Sequence, residues 1–119
     1  GFPGINRLVN VVGPSFAKEI FFTARRFDAE ESRVMGLVNR VVEDEDVAQV
    51  AEDTAKMIAA NAPMTVASVK FIVGETLKDE SKRDEEECAR RVKACFDSQD
   101  YVEGRRAFLE KRKPQFVGA

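Results

Sequence analysis

Apolar residues recur along most of this chain at intervals of three and four positions, the spacing that places them on one face of an α-helix. The repeats are clearest in three stretches, at Phe16, Ala17, Ile20, Phe21 and Ala24, at Val47, Val50, Ala51, Thr54 and Ile58, and at Cys88, Val92, Cys95 and Phe96. This pattern predicts a mainly α-helical chain with six or seven helices, whose apolar faces form its core.

Glycine and proline mark the breaks between these helices. Gly13 and Pro14 stand together between two apolar stretches, and Pro14 suits the first turn of a new helix. Asn61 to Pro63 marks a second break, and the G-F-P-G start predicts a turn over Gly1 to Gly4. Between these breaks, Leu37 to Val42 is the one stretch that suits a short strand, so we expect one strand in an otherwise helical chain.

Polar residues at fixed offsets predict where several helices begin and end. Asp28 followed by Glu31 resembles a capping box, in which each side chain bonds the backbone of the other residue. Gly36 fits the position just after the end of that short helix, where glycine is preferred. Asp44 and Ser98 are predicted to cap the starts of the next helix and of the final helix.

The size and charge of the chain exclude several classes of protein. It has 119 residues, of which 44% are hydrophobic and 34% charged, a composition typical of one globular domain. The formal net charge of −2 gives no overall basic field, so nucleic acid is not an expected partner. The longest apolar runs are far shorter than the roughly 20 residues of a membrane span, and the start shows no signal-peptide pattern.

The two cysteines and the lack of histidine exclude several kinds of catalytic and metal site. Cys88 and Cys95 lie on one predicted helix, too far apart to form a disulfide, which favours a reducing cytoplasm. The chain has no histidine, which excludes Ser-His and Cys-His nucleophile pairs and histidine-based metal sites within it. A Mg²⁺ or Ca²⁺ site built on carboxylates alone is not excluded, but no acidic spacing resembles an EF-hand loop. We expect no bound metal and no cofactor.

The strongest chemical signal lies between Glu103 and Gly118, which read E-G-R-R-A-F-L-E-K-R-K-P-Q-F-V-G. Five of these residues are basic, namely Arg105, Arg106, Lys111, Arg112 and Lys113. Cations in the last turn of a helix stabilise the negative end of its dipole, and they also suit a bound phosphate. By charge alone, a solvated helix end is the simpler interpretation.

Three ordered stretches of the sequence resemble one known family. They are E-G-R-R-A-F-L-E-K-R-K-P-Q-F near the end, D-A-E-E-S-R-V-M-G-L-V-N-R-V-V from Asp28 to Val42, and Arg7-Leu8 with Val12-Gly13 ahead of a helix ending F-F-T-A-R-R. Their order and separations resemble those of the crotonase superfamily, the enoyl-CoA hydratases and isomerases. The resemblance covers essentially the whole chain.

This resemblance implies a fold and an activity. Residues 1–119 correspond to the C-terminal helical (trimerisation) region of the α/β crotonase fold, so we expect a homo-oligomer, a trimer or hexamer in the full-length protein. Family members hold an acyl-CoA thioester with its carbonyl in an oxyanion hole of two backbone N–H groups, which stabilises the developing enolate. The implied reaction is the addition of water to 2-enoyl-CoA, and the alternative is an enoyl-CoA or dienoyl-CoA isomerase.

The resemblance also implies which residues belong to the site. In the family, the catalytic carboxylates and the oxyanion hole precede the glycine-rich loop at which this sequence begins, so we expect no catalytic residue in this chain. Phe108 and Lys111 match the aromatic residue and the lysine that contact the CoA nucleotide. In the loop, Gly1 matches a backbone N–H that helps to hold water, and Phe2 lies beside the expected acyl pocket. Pro3 departs from the usual glycine and removes a donor, which leaves the exact reaction open.

Two other interpretations come from the residues alone. The basic last helix is also typical of a stand-alone helical interaction module that docks on an acidic partner. The neighbouring glutamates, Glu30 with Glu31 and the run from Glu85 to Glu87, resemble acid–base pairs only by adjacency. Because adjacent residues on a helix point about 100° apart, we expect them to be solvated or to cap helices.

Overall fold

The computed structural model describes residues 1–119 and is built of helices without a strand. Six α-helices follow one another: α1 (Phe2–Thr23), α2 (Ala29–Val34), α3 (Val47–Ala59), α4 (Pro63–Thr76), α5 (Glu85–Phe96) and α6 (Gln99–Leu109). Two 3₁₀ turns, Asp44–Asp46 and Glu80–Lys82, precede α3 and α5. The chain divides into two compact units, Gly1–Val47 and Ala48–Ala119.

The break predicted at Gly13 and Pro14 is confirmed inside α1. Gly13 has φ 77° and ψ 166°, a conformation that only glycine adopts readily, and two helical segments meet there at a kink. The turn predicted over Gly1 to Gly4 is wrong, because Phe2 already begins the helix. Pro3 fits this first turn since the backbone N–H that proline lacks would have no partner there.

Helix α2 has the capping box predicted for it. The Glu31 N–H donates to Asp28 Oδ1 at 2.8 Å, and the Asp28 N–H donates to Glu31 Oε2 at 3.0 Å. Gly36, which has φ 79°, follows the C-cap residue Met35, and the Leu37 N–H donates back to the Ser32 carbonyl at 2.9 Å. This is a Schellman motif with glycine in its left-handed position.

The strand predicted over Leu37 to Val42 is wrong. These residues form a bend followed by irregular chain, and all of them are exposed. A strand is defined by hydrogen bonds to a neighbouring strand, and no second extended segment lies beside this one. The cap predicted at Asp44 is also wrong, since Asp44 begins a 3₁₀ turn and its side chain bonds no helical N–H.

In the first unit, the two parts of α1 and the end of α2 form a small core. Its buried residues are Val12, Ala17 and Met35, with Leu8, Val9, Phe16, Ile20 and Phe27 partly buried around them. The close approach of α1 to the end of α2 is visible at Gly36, where an added Cβ would lie 3.6 Å from the Val11 carbonyl oxygen. The predicted apolar stripe on α1 is therefore only partly internal, because Phe21 remains 54% exposed.

In the second unit, buried polar groups join the helix ends. The Glu75 carboxylate near the end of α4 accepts from Lys78 Nζ at 2.5 Å and from the Asp84 N–H at 2.9 Å, which fixes the chain leading into α5. Ser98 caps α6 as predicted, since its Oγ accepts from the Tyr101 N–H at 3.1 Å.

No single helix is long and apolar enough to cross a membrane. Only Asp44–Ala59 and Pro63–Thr76 taken together reach that size, and these two segments are bent by 107° relative to each other.

Candidate functional site

Phe108 stands in the last turn of α6 and is 82% exposed. Its ring lines an apolar cleft of about 560 Å³ that opens between α4, α5 and α6. The other large apolar side chains of this cleft are Val69, Ile72, Val92, Phe96, Tyr101 and Phe116. A cleft walled by rings and aliphatic side chains can accept a flat, weakly polar group of a ligand.

Two aromatic contacts shape this cleft. Phe96 and Tyr101 meet edge to face with ring centroids 5.0 Å apart, and the Arg105 guanidinium lies 5.9 Å from the Tyr101 ring centroid. Phe116 passes close to α6 at Gly104, where an added Cβ would lie 3.6 Å from the ring. The chain that follows α6 therefore returns along the helix at van der Waals distance.

Lys111 occupies an unusual position just beyond α6. Its φ is 53°, in the left-handed region that glycine prefers. The Lys111 N–H donates to the Phe108 carbonyl at 3.2 Å, and the Arg112 N–H donates to the Ala107 carbonyl at 3.0 Å, so the helix ends in a Schellman motif. No carboxylate lies within ion-pair distance of the Lys111 ammonium, which leaves its charge free for an external anion.

Arg112, next along the chain, is fully engaged within the protein. Its Nη1 and Nη2 lie 2.6 Å and 2.9 Å from the two carboxylate oxygens of Glu103, and its Nε lies 2.6 Å from Glu110 Oε2. These two carboxylates raise the pKa of Arg112. The Arg112 guanidinium and, to a smaller degree, the Gln115 N–H lower the pKa of Glu103 from 4.5 to about 2. The sequence identified Arg112 only as one of five basic residues and gave no signal of this pairing.

A buried carboxylate holds the last residues of the chain against the start of α6. Asp100 is 2% exposed, and its Oδ1 and Oδ2 accept from the Val117 N–H at 2.7 Å and the Gly118 N–H at 2.9 Å. The main-chain oxygen of Ala119 accepts from the Gln99 N–H at 2.6 Å. Both ends of α6 are therefore tied to the segment that follows it, a role of Asp100 that no sequence signal indicated.

Gly1 and Phe2, the two residues expected at the acyl side, lie at the start of α1 in the first unit. The Gly1 carbonyl accepts from the Gly4 N–H at 3.2 Å and from the Ile5 N–H at 3.3 Å, so Gly1 is the N-cap of the helix. The Phe2 side chain is 80% exposed. Phe108 and Lys111 are thus brought to one helix end, whereas Gly1 and Phe2 belong to a different unit.

Among the neighbouring glutamates, Glu31 caps a helix as predicted, whereas Glu30 and Glu87 form ion pairs. Glu31 is part of the capping box, and its backbone bond to Asp28 lowers its pKa. Glu30 accepts from Arg33 at 2.9 Å, which lowers the pKa of Glu30 as well. Arg90 and then Arg91 lower the pKa of Glu87 to about 2. Glu31 also pairs with Arg25 at 2.8 Å, so Glu30, Glu31 and Glu87 each contact a cation rather than another carboxylate.

Comparison with known proteins finds one family along the whole chain. The sequence model of the family described as enoyl-CoA hydratase/isomerase matches residues 1–119. The methylmalonyl-CoA decarboxylase of Escherichia coli is 38% identical over 118 residues, which are 97% of this chain and 45% of that protein. The crotonyl-CoA hydratase of Syntrophomonas wolfei is 36% identical over 117 residues, 98% of this chain and 45% of that protein.

The fold agrees with the sequence comparison. A solved enoyl-CoA hydratase/carnithine racemase from Magnetospirillum magneticum superposes with a TM-score of 0.82 and 36% identity. The superposition covers 100% of this chain and 44% of that one. The chain thus spans less than half the length of the relatives that it matches.

The Glu103–Arg112 pair predicts a specific dependence of stability on pH. Because the folded pKa of Glu103 is about 2 and its ordinary value is 4.5, its stabilisation is complete above pH 4.5 and is lost as the pH falls towards 2. Glu103→Gln should therefore be less stable than the wild-type chain at pH 7, and the difference should shrink between pH 4.5 and pH 2. Urea unfolding at several pH values measures both curves.

Glu80→Gln is the matched control, because Glu80 lies in the same unit and forms no ion pair. Its stability should follow that of the wild type at every pH. A Glu103→Gln deficit that stays constant or grows below pH 4.5 would contradict the assignment of this carboxylate.

Proposed function

Because the chain belongs to the enoyl-CoA hydratase/isomerase family, we propose that it is the C-terminal part of an enzyme that processes CoA thioesters. The decarboxylase and the hydratase are named for different reactions, but each name specifies a CoA thioester as the substrate. What the two relatives share is therefore coenzyme A as the group that carries the acyl chain. The complete enzyme is this chain together with a preceding part like that of its relatives.

The reaction that we propose is the addition of water to a 2-enoyl-CoA. A short-chain-enoyl-CoA hydratase of Clostridium acetobutylicum is 35% identical, which adds a second hydratase to the relatives. Isomerisation of an enoyl-CoA or dienoyl-CoA is the alternative within the same family. No residue of this chain is assigned to the making or breaking of bonds, and the proposal needs no metal or cofactor besides the CoA thioester.

Phe108 and Lys111 are proposed to bind the CoA nucleotide. The observation that carries this assignment is the free ammonium of Lys111, three positions after an aromatic ring that is 82% exposed beside an apolar cleft. An aromatic face can lie against a base, and an ammonium can pair with a phosphate. Gly1 and Phe2 are proposed to lie at the acyl end of the substrate, Gly1 through its backbone N–H and Phe2 through its exposed ring.

The complete enzyme is proposed to be a homo-oligomer, a trimer or a pair of trimers, in the cytoplasm. Large apolar side chains cover much of this chain's surface, among them Phe22 at 81% and Leu109 at 77% exposure, and such surfaces favour association. The two free cysteines suit a reducing compartment. Sedimentation equilibrium of the complete enzyme should give three or six copies, and a monomer at all concentrations would contradict the proposal.

The binding assignment predicts how substitutions affect the kinetics of the complete enzyme. Lys111→Ala should raise the KM for crotonyl-CoA with a smaller effect on kcat, because the nucleotide is remote from the reacting carbons. The loss should be about 1–2 kcal/mol, the scale of one charge-assisted hydrogen bond, and it should shrink with added salt. Phe108→Ala should weaken binding similarly but with little dependence on salt.

Lys113→Ala is the matched control, since Lys113 is a second lysine without an ion pair two positions along the chain. It should change the KM much less than Lys111→Ala. The dissociation constant of coenzyme A itself, measured by calorimetry, checks the assignment without regard to the reaction catalysed. A folded Lys111→Ala enzyme with unchanged KM and unchanged CoA affinity at low salt would remove this helix end from the binding site.

A further inference from the structure

Two helices of this chain end in the same Schellman motif with different residues at its left-handed position. Helix α2 has Gly36 there, with φ 79°, whereas α6 has Lys111, with φ 53°. A residue with a Cβ is disfavoured in this conformation and persists there when the surrounding structure fixes it. Contacts that fix the end of α6 would therefore help to hold Lys111 in this conformation.

The contacts that fix this turn converge on Arg112. Its guanidinium bonds both oxygens of Glu103 and one oxygen of Glu110, and its Nη1 donates to the Lys113 carbonyl at 3.2 Å. The Glu103 carboxylate in turn accepts from the Gln115 N–H at 2.9 Å. These bonds fasten the residues on both sides of Lys111 while the Lys111 side chain takes part in none of them.

We propose that Arg112 is a positioning residue for CoA binding, which acts by holding the turn that presents Lys111 to the nucleotide. This inference rests on the proposed function, in which Lys111 contacts a CoA phosphate. Arg112 itself does not meet the phosphate, because its charge is balanced by Glu103 and Glu110. Arg112 thus fixes the backbone of the turn, and Lys111 binds the ligand.

The planar guanidinium is needed for this role. Arg112 bonds the two oxygens of Glu103 through Nη1 and Nη2 and reaches Glu110 through Nε, an arrangement that a single ammonium cannot reproduce. Arg112→Lys should therefore behave like Arg112→Ala in CoA binding, although it keeps the positive charge. If Arg112 acted on the phosphate as a cation, Arg112→Lys would instead restore most of the affinity.

A double-mutant cycle separates positioning from direct binding. In the complete enzyme, Arg112→Ala should raise the dissociation constant of coenzyme A about fivefold, and Lys111→Ala about tenfold, the scale of one charge-assisted contact. Because Arg112 acts through Lys111, Arg112→Ala should have little further effect in a protein that already carries Lys111→Ala. The KM for crotonyl-CoA should follow the same pattern, with kcat changed less.

Arg90→Ala is the matched control. Arg90 forms the same kind of two-point contact with Glu87, at 2.5 Å and 2.6 Å, on α5 and away from the end of α6. It should lower the melting temperature comparably and leave the CoA affinity unchanged. If Arg112→Ala does not fold, Glu103→Gln weakens the same pair from its other side and should show the same non-additivity with Lys111→Ala.

The outcomes distinguish this inference from the function on which it rests. Non-additive losses with no rescue by Arg112→Lys support it. Equal losses from Arg112→Ala with and without Lys111→Ala, or no loss of CoA affinity, overturn the positioning role while the CoA site stands. If Lys111→Ala itself leaves CoA affinity unchanged, the proposed nucleotide site is wrong, and the positioning role is wrong with it.

Discussion

The bidentate ion pair between Arg112 and Glu103 is the interaction on which the candidate site depends. It joins residues nine positions apart and so links the middle of α6 to the chain beyond its end. Without it, the turn that carries Lys111 would lose its bidentate link to the middle of α6. It would keep its two Schellman hydrogen bonds and the contacts of Arg112 with Glu110 and the Lys113 carbonyl, with a non-glycine residue in a disfavoured conformation. The Arg112–Glu103 ion pair therefore helps to hold the turn in which Lys111 follows Phe108.

A second constraint is the small amount of apolar surface that each unit encloses. The buried apolar residues of the whole chain are Val12, Ala17, Met35 and Ala107. Order at the helix ends comes instead from local hydrogen bonds, such as the capping box at Asp28, and from buried carboxylates. In the second unit, Glu75 and Asp100 bind backbone N–H groups across turns, which defines these connections although few side chains are buried.

Local signals in the sequence predicted the helices well because their causes are local. The break at Gly13, the capping box at Asp28, the end at Gly36 and the cap at Ser98 each involve residues within a few positions of one another. The family resemblance was confirmed over the whole chain. The strand at Leu37 to Val42 was wrong because a strand depends on a partner elsewhere, which residue spacing within one segment does not reveal.

The candidate site could be predicted only in part, because some of its contacts join residues far apart in the sequence. Phe108 and Lys111 came from a resemblance in sequence and remain proposals, and the structure adds the exposure of the ring and the free ammonium. The pairing of Arg112 with Glu103 and the tail contacts of Asp100 could not be predicted, since separations of nine and seventeen positions match no helical spacing. They depend on the path of the chain after α6, where Phe116 returns past Gly104.

The central claim is that this chain binds the nucleotide of a CoA thioester and supplies none of the groups that make or break bonds. The most direct test is the hydration of crotonyl-CoA by two purified proteins. One is the 119-residue chain, and the other is the same chain fused in place of the matching part of the Syntrophomonas wolfei hydratase. The account predicts turnover by the fusion and none by the chain alone. Turnover by the chain alone at about 1 per second or more, within the ordinary range of enzymes, would contradict it.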